Sequence, residues 1–267
     1  VQVQLFMTTQ TDAAQAAGRI FVARRQTGQA GPRLPEALRP ADLSQALAIQ
    51  AAVTDLLGDA VAGWKCGTPA PGKVVLAPIY ASTVYRNQPC LAWARDAAVE
   101  VEPELAFVLG HDLPVRGHAY EPAEVDAAIA HTYLALELLG RRFSPGCEPD
   151  FAEKLADGLV NQGLFLGPAV DAKQAARSHE MPIEVSVDGV AQPALQGRHP
   201  DALPRAPLYW LAEHLRAAGV GLQAGQVVIT GSYAGCFALP VGRKVVVRFG
   251  ELGELAVQLA PHESVGG

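Results

Sequence analysis

The sequence predicts an α+β protein: a helical N-terminal portion, residues 1–59, set on a larger strand-rich core, residues 60–267. Three observations carry that prediction. Up to about Asp59, alanine and leucine recur at helical spacing. From Ala60 onward, short β-type segments are divided by Gly, Pro and Asp. The two kinds of segment do not alternate steadily, as a parallel β-α-β protein would require.

In chain order, "TDAAQAAGRIFVARRQ" and "ADLSQALAIQAAVTDLLGD" read as helices, the second with Asp42 as N-cap after Pro40. The Gly- and Pro-rich "TGQAGPRLPEALRP" connects them. Strands are expected in "AVAGWKCG", "KVVLAPIYASTVY", "AAVEVEPELAFVLG", "MPIEVSVDGV", "QVVITG" and "RKVVVRFGELGELAVQLA". Three helical intervals interrupt them. "EPAEVDAAIAHT" opens with Pro122 in its first turn, "EPDFAEKLADGL" is short, and "RAPLYWLAEHLRAAG" ends on Gly219 as a C′ residue. Leu134 to Leu139 and Val245 to Phe249 read as core.

The 267 residues form one large domain or two small ones, with length for a sizeable core. With 49% apolar and 18% charged residues, the composition is that of a compact soluble protein. A net charge of -6 argues against nucleic acid as a partner, which would call for clustered positive charge. No apolar run approaches the length of a membrane span, so no membrane is expected. Cys66, Cys90, Cys147 and Cys236 lack CxxC spacing, so free thiols in a reducing compartment are expected. The N-terminus lacks a signal-peptide pattern, which points to the cytoplasm, with Met7 an expected native start.

Several motifs fail on physical grounds. "GTPAPGKV" nearly matches a phosphate loop, but Pro69 and Pro71 remove two cradle N–H groups and Val74 cannot hold magnesium. "GSYAG" places Ser232 directly after the first glycine, which is not a nucleophile elbow. No HExxH or short-spaced histidine pair supports a zinc hydrolase, and His111 and His118 read as surface residues.

The chemistry begins at "VEPELAFVLG". Glu102 and Glu104 share one face of a strand, because successive side chains point to opposite sides. Val101, Pro103, Leu105 and Phe107 make the other face apolar, while Ala106 and Val108 extend the glutamate face without further charge. Two like charges there leave three outcomes open: an exposed face, a retained proton, or a cation between them. Glu137 stands alone among apolar residues in "HTYLALELLGRRF", where either a local arginine, Arg141 or Arg142, or a metal could partner it. Three oxygen donors suit a hard divalent ion, Mg²⁺ or Mn²⁺. Lys65, in the small apolar "VAGWKCGTP", either snorkels to water or faces a polar cavity, as a general acid/base or as the partner of an anionic substrate.

The ordered segments "GWKCGTP", "VEPELAFVLG", "LALELLG", "NQGLFLGP", "VVITGS" and "VGRKVVVRFGELGELAVQL" resemble the 2-keto-4-pentenoate hydratases and 4-oxalocrotonate decarboxylases, within the fumarylacetoacetate hydrolase superfamily. The resemblance runs from about Ala60 to Leu259. It implies a mixed β-sheet rolled into a partial barrel, homo-oligomeric assembly, and a divalent metal held by Glu102, Glu104 and Glu137. It also implies a catalytic lysine at Lys65 and substrate binding at Asn161, Thr230, Gly231 and Ser232. The chain departs from the pattern in two places. Val75 or Leu76 stands where hydratases of this type carry an acidic residue, and "LADGLVNQG" is shorter than the family segment, with Asn161 where a serine is expected.

The activity that the resemblance implies is a hydro-lyase adding water to a 2-hydroxy-2,4-dienoate through a metal-stabilised enolate. The alternatives are decarboxylation of a 2-oxo acid, C–C hydrolysis of an acylpyruvate, or a non-catalytic member that binds a small 2-oxo acid or a partner subunit.

Overall fold

The computed structural model describes residues 2–262. Helices Gln2–Thr27 and Leu43–Leu57 bury Ala17, Phe21, Ala46, Ile49 and Val53 against one another and against Phe143 and Leu155. The first starts earlier than the expected segment at Thr11. Asp42 caps the second as expected, accepting from the Gln45 amide at 2.8 Å. Buried Gln50 ties that helix to the core, its Nε2 donating to the carbonyls of Leu76 and Leu155 at 3.0 and 2.9 Å.

The main sheet has eight strands. Its path runs Leu76–Tyr80, Val61–Cys66, Val227–Ile229, Ala98–Leu109, Ile129–Leu139, Asn161–Val170, Val84–Tyr85, and Phe237–Pro240 pairs with the start of Ala98–Leu109. The sheet is mixed, since Val61–Cys66 runs parallel to Val227–Ile229 while Ala98–Leu109 runs antiparallel to Ile129–Leu139. It also curls. Ile79, near one edge, meets Ala106, Ala135, Leu164, Leu166 and Ile229 in a single interior cluster. Every second side chain of each strand therefore points into a half-barrel.

The outer face is apolar, as the alternation requires. Val101, Leu105, Leu136 and Leu138 pack in one core with Ile183, Val247 and Phe249 of a second, five-stranded sheet. Helix Ala206–Ala217 adds Leu208, Leu211 and Leu215 to that core. The "EPAEVDAAIAHT" segment is helical only over Pro122–Ala128, and Ile129 already begins a strand. Ile129 is β-branched, and from Thr132 onward the chain alternates between two buried faces, so sheet packing outweighs helix propensity. Among the described residues no helix is long and apolar enough to cross a membrane.

Gly63 is where close approach demands glycine. A Cβ there would meet the Val227 carbonyl oxygen at 2.2 Å. Gly63→Ala is expected to lower stability by about 2 kcal/mol, within the ordinary range for overpacking, as read from chemical denaturation midpoints. An unchanged midpoint would mean that the parallel pairing of Val61–Cys66 yields easily.

Candidate active site

Strand register brings the three glutamates together. Glu102 lies directly opposite Glu137 across the antiparallel pair, and Glu104 follows two residues on along the same face. One carboxylate oxygen from each lies within 4.8 Å of the others. Lys65 arrives from another strand, where it pairs with Ile229 and so faces the same interior. Glu137 is 0% exposed, Glu104 2% and Lys65 9%, while Glu102 is half-buried. The fully exposed strand face and the lysine with its head in water are both ruled out.

Pro103 explains how the strand tolerates a proline between the two glutamates. On a strand, a residue's N–H and C=O point to the same side. The Pro103 carbonyl accepts from the Tyr233 amide at 2.9 Å, so its missing N–H faces that loop and no bond to Leu136 is lost. The same loop places the Gly231 amide on Glu104 Oε2, at 2.7 Å.

Glu137 is divided between its two oxygens. Oε1 accepts from Lys65 Nζ at 2.7 Å and from Asn161 Nδ2 at 2.8 Å. Oε2 is buried and meets no amide, amine or hydroxyl donor. Arg141 and Arg142 are occupied elsewhere, on Glu100 and Asp157 respectively. Local arginine pairing of Glu137 is thereby excluded. A buried carboxylate oxygen without a donor, facing two further carboxylates, fits a hard divalent cation.

The electrostatics agree with that fit. Burial pushes the Glu102 carboxyl up to about 7, helped by Glu137 and opposed by Lys65. Burial also drives Glu104 well above the carboxylate range, reinforced by Glu137 and Glu102 against Lys65 and the Gly231 amide. Burial disfavours the Lys65 ammonium, but Glu137, Glu102 and Glu104 outweigh it and hold its pKa above the ordinary lysine value.

Without a cation, the Glu102 carboxyl binds more protons folded than unfolded, so its contribution to stability is lost as pH rises from the usual carboxylate range to about 7, and Glu104 acts in the same direction. A divalent cation displaces those protons. Mg²⁺ affinity is therefore expected to rise as pH rises through about 7, with proton release. Calorimetry in two buffers of different ionisation heat measures this, and pH-independent binding without release would contradict it.

Of the other expected site residues, Asn161 reaches the cluster through a register shift between Leu138 and Leu139 that turns it inward. Thr230 is buried, with Oγ1 3.4 Å from His199 Nε2. Ser232 is turned to its own loop, Oγ donating to the Gly235 carbonyl at 2.8 Å. Two further groups go unmarked by sequence reasoning: the Leu159 carbonyl, which accepts from Lys65 Nζ at 3.4 Å, and buried His199. A backbone carbonyl leaves no signal in sequence, and a single histidine in "GRHP" carries little.

A cavity of about 800 Å³ begins where Ala98, Glu100 and Leu139 continue the face of Glu102 and Glu137. The strand Leu76–Tyr80 is buried and carries no acidic side chain of its own, and Val75 precedes it.

Residues 61–260 match the family model described as Fumarylacetoacetate (FAA) hydrolase C-terminal. A 2-keto-4-pentenoate hydratase of Burkholderia vietnamiensis (strain G4 / LMG 22486) is 25% identical over 253 residues, covering 91% of this chain and 92% of that one. The 2-keto-4-pentenoate hydratase 2 of Dechloromonas aromatica (strain RCB) is 28% identical over 168 residues, 60% of each. Among solved structures, 4-oxalocrotonate decarboxylase from Pseudomonas putida G7, complexed with magnesium and adipate, is similar with a TM-score of 0.73. That likeness spans 93% of this chain and 98% of the other at 15% identity, which shows the fold.

Proposed function

The chain belongs to the fumarylacetoacetate hydrolase family, and from that premise we propose that it is a metal-dependent, hydratase-like lyase acting on a 2-hydroxy-2,4-dienoate of the 2-keto-4-pentenoate type. The carrying observation is the cluster of Glu102, Glu104 and Glu137 with its unpartnered Glu137 Oε2. The hydratases similar in sequence support the reaction class.

In this reading Glu102, Glu104 and Glu137 hold Mg²⁺ or Mn²⁺. A bound divalent ion would supply Lewis-acid stabilisation of negative charge on a substrate 2-oxygen. Lys65 Nζ, fixed between Glu137 Oε1 and the Leu159 carbonyl, carries the proton that ketonises the dienol. Asn161 orients Glu137 by its amide, and the Gly231 amide orients Glu104. Thr230, Gly231 and Ser232 form the loop that lies against the substrate. The burial of Glu104, Glu137 and Lys65 keeps bulk water from that proton.

A second reading rests on the apolar stretch at Val75 and Leu76, where the resemblance expects an acid. Decarboxylation of a 2-oxo acid calls for one proton carrier rather than two, and Lys65 supplies one.

A metal-supplemented activity screen over 2-hydroxydienoates, oxalocrotonate and acylpyruvates tests both. Hydration of a dienoate that stops on chelation is expected, and carbon dioxide release instead would establish the second reading. No turnover of any of them with Mg²⁺ or Mn²⁺ would sink both. We also carry the homo-oligomer forward from the resemblance, to be measured by light scattering. The boundary near residue 59 is carried forward too, supported by a family match that begins at residue 61.

A further inference from the structure

Three successive residues beside the site lie in the left-handed region: Gly158 at φ 79°, Leu159 at 52° and Val160 at 60°. Glycine adopts that conformation readily; leucine and especially β-branched valine do not. Such a run persists only where its surroundings hold it. Its two products face the site, since the Leu159 carbonyl takes Lys65 Nζ and Asn161, directly after the turn, takes Glu137 Oε1.

The holder comes from the N-terminal helix. Arg25 donates from Nη2 to the Asp157 carbonyl and from Nη1 to the Asn161 carbonyl, the latter at 3.1 Å. One guanidinium thus bridges the residues that flank the three left-handed ones, a fit for its planar fork that an ammonium cannot reproduce. Arg142 braces the same corner from Nε to Asp157 Oδ1 and from Nη2 to the Asp157 carbonyl. Gly158 completes the fit, because a Cβ there would meet Arg25 Nη2 at 2.7 Å. Burial and Arg142 push Arg25 down to about 10, so the guanidinium sits there against an electrostatic penalty.

We propose that Arg25 is a positioning residue, which through the Gly158–Val160 turn holds the Leu159 carbonyl on Lys65 and the Asn161 amide on Glu137. The inference rests on the reading of Glu102, Glu104 and Glu137 as cation ligands. It makes the N-terminal helix part of the site through the bonds from Arg25 to the Asp157 and Asn161 carbonyls.

Arg25 lines the cavity of about 800 Å³, so a small cation can reach its place. The test is Mg²⁺ calorimetry on Arg25→Ala, with added guanidinium below denaturing concentration and with urea as control. Mg²⁺ affinity is expected to fall about 10-fold or more, as when other partners of metal ligands are removed. Guanidinium should restore it and urea should not. Gly158→Ala should give the same loss, and the two substitutions together should not add.

Unchanged affinity in folded Arg25→Ala, a loss that guanidinium does not repair, or full additivity with Gly158→Ala would each overturn the proposal. If Arg25→Ala does not fold, Arg25→Lys decides: it can reach one carbonyl at a time, so lowered affinity is expected and wild-type affinity overturns the bridge. A readout without metal separates this from the functional reading. Reductive methylation of Lys65 Nζ should be faster in Arg25→Ala and slowed again by guanidinium. Wild-type protein that binds no Mg²⁺ would defeat the cation reading, while the Lys65 rates would still decide the role of Arg25.

Discussion

Glu104→Gln and Glu137→Gln are expected to abolish activity alike and to weaken Mg²⁺ binding by about 100-fold or more, because each removes a charged oxygen donor from a three-carboxylate set. Their effects on the metal-free protein should be opposite in sign. Ionisation of Glu104 is opposed by burial and by Glu137 and Glu102, so its neutral isostere avoids that repulsion and raises the melting temperature. The Gly231 amide loses nothing, since a glutamine carbonyl accepts from it equally well. Glu137→Gln instead removes the counter-ion of Lys65 Nζ, 2.7 Å away, and leaves an ammonium buried without its partner. Its melting temperature should fall. Thermal melts with and without Mg²⁺ read both quantities. Equal destabilisation by the two substitutions in the metal-free protein would mean that the cluster is an ordinary hydrogen-bonded network rather than a frustrated ligand set.

Lys65→Met is the second large effect. It leaves Glu137 without the ammonium that faces its Oε1, and breaking a buried ion pair from one side costs about 3–5 kcal/mol. The lower end of that range is expected here, because Asn161 Nδ2 still donates to the same oxygen at 2.8 Å. Pairing the change with Glu137→Leu removes both charges and should recover most of the lost stability, although activity stays absent. Chemical denaturation of the single and double variants measures this. A double variant no more stable than Lys65→Met would show that packing, not charge, sets the loss.

Part of the cluster is legible in the amino-acid sequence. The period of two in "VEPELAFVLG" puts Glu102 and Glu104 on one face, and the apolar residues around them announce that the strand is covered. The lone glutamate in "LALELLG" is equally plain as a buried charge in need of a partner. The identity of that partner is not. Arg141 and Arg142 lie four and five residues away along the chain, yet the strand ends at Leu139 and they turn to Glu100 and Asp157 instead. Local spacing favours them, and tertiary geometry favours Lys65, 72 positions upstream.

Short-range periodicity and side-chain chemistry are enough to specify the alternation of faces and the α+β class, and they mark the three carboxylates and the lysine as candidates that the family resemblance joins into one site. What meets what is settled only in three dimensions. The register that sets Glu102 opposite Glu137, and the parallel pairing that turns Lys65 inward, are choices among many strand alignments with equally good local patterns. So too are the shift that turns Asn161 toward Glu137 and the bridge from Arg25 across a left-handed turn. Contacts between distant segments are selected by the packing of the whole core, which no short window of sequence contains.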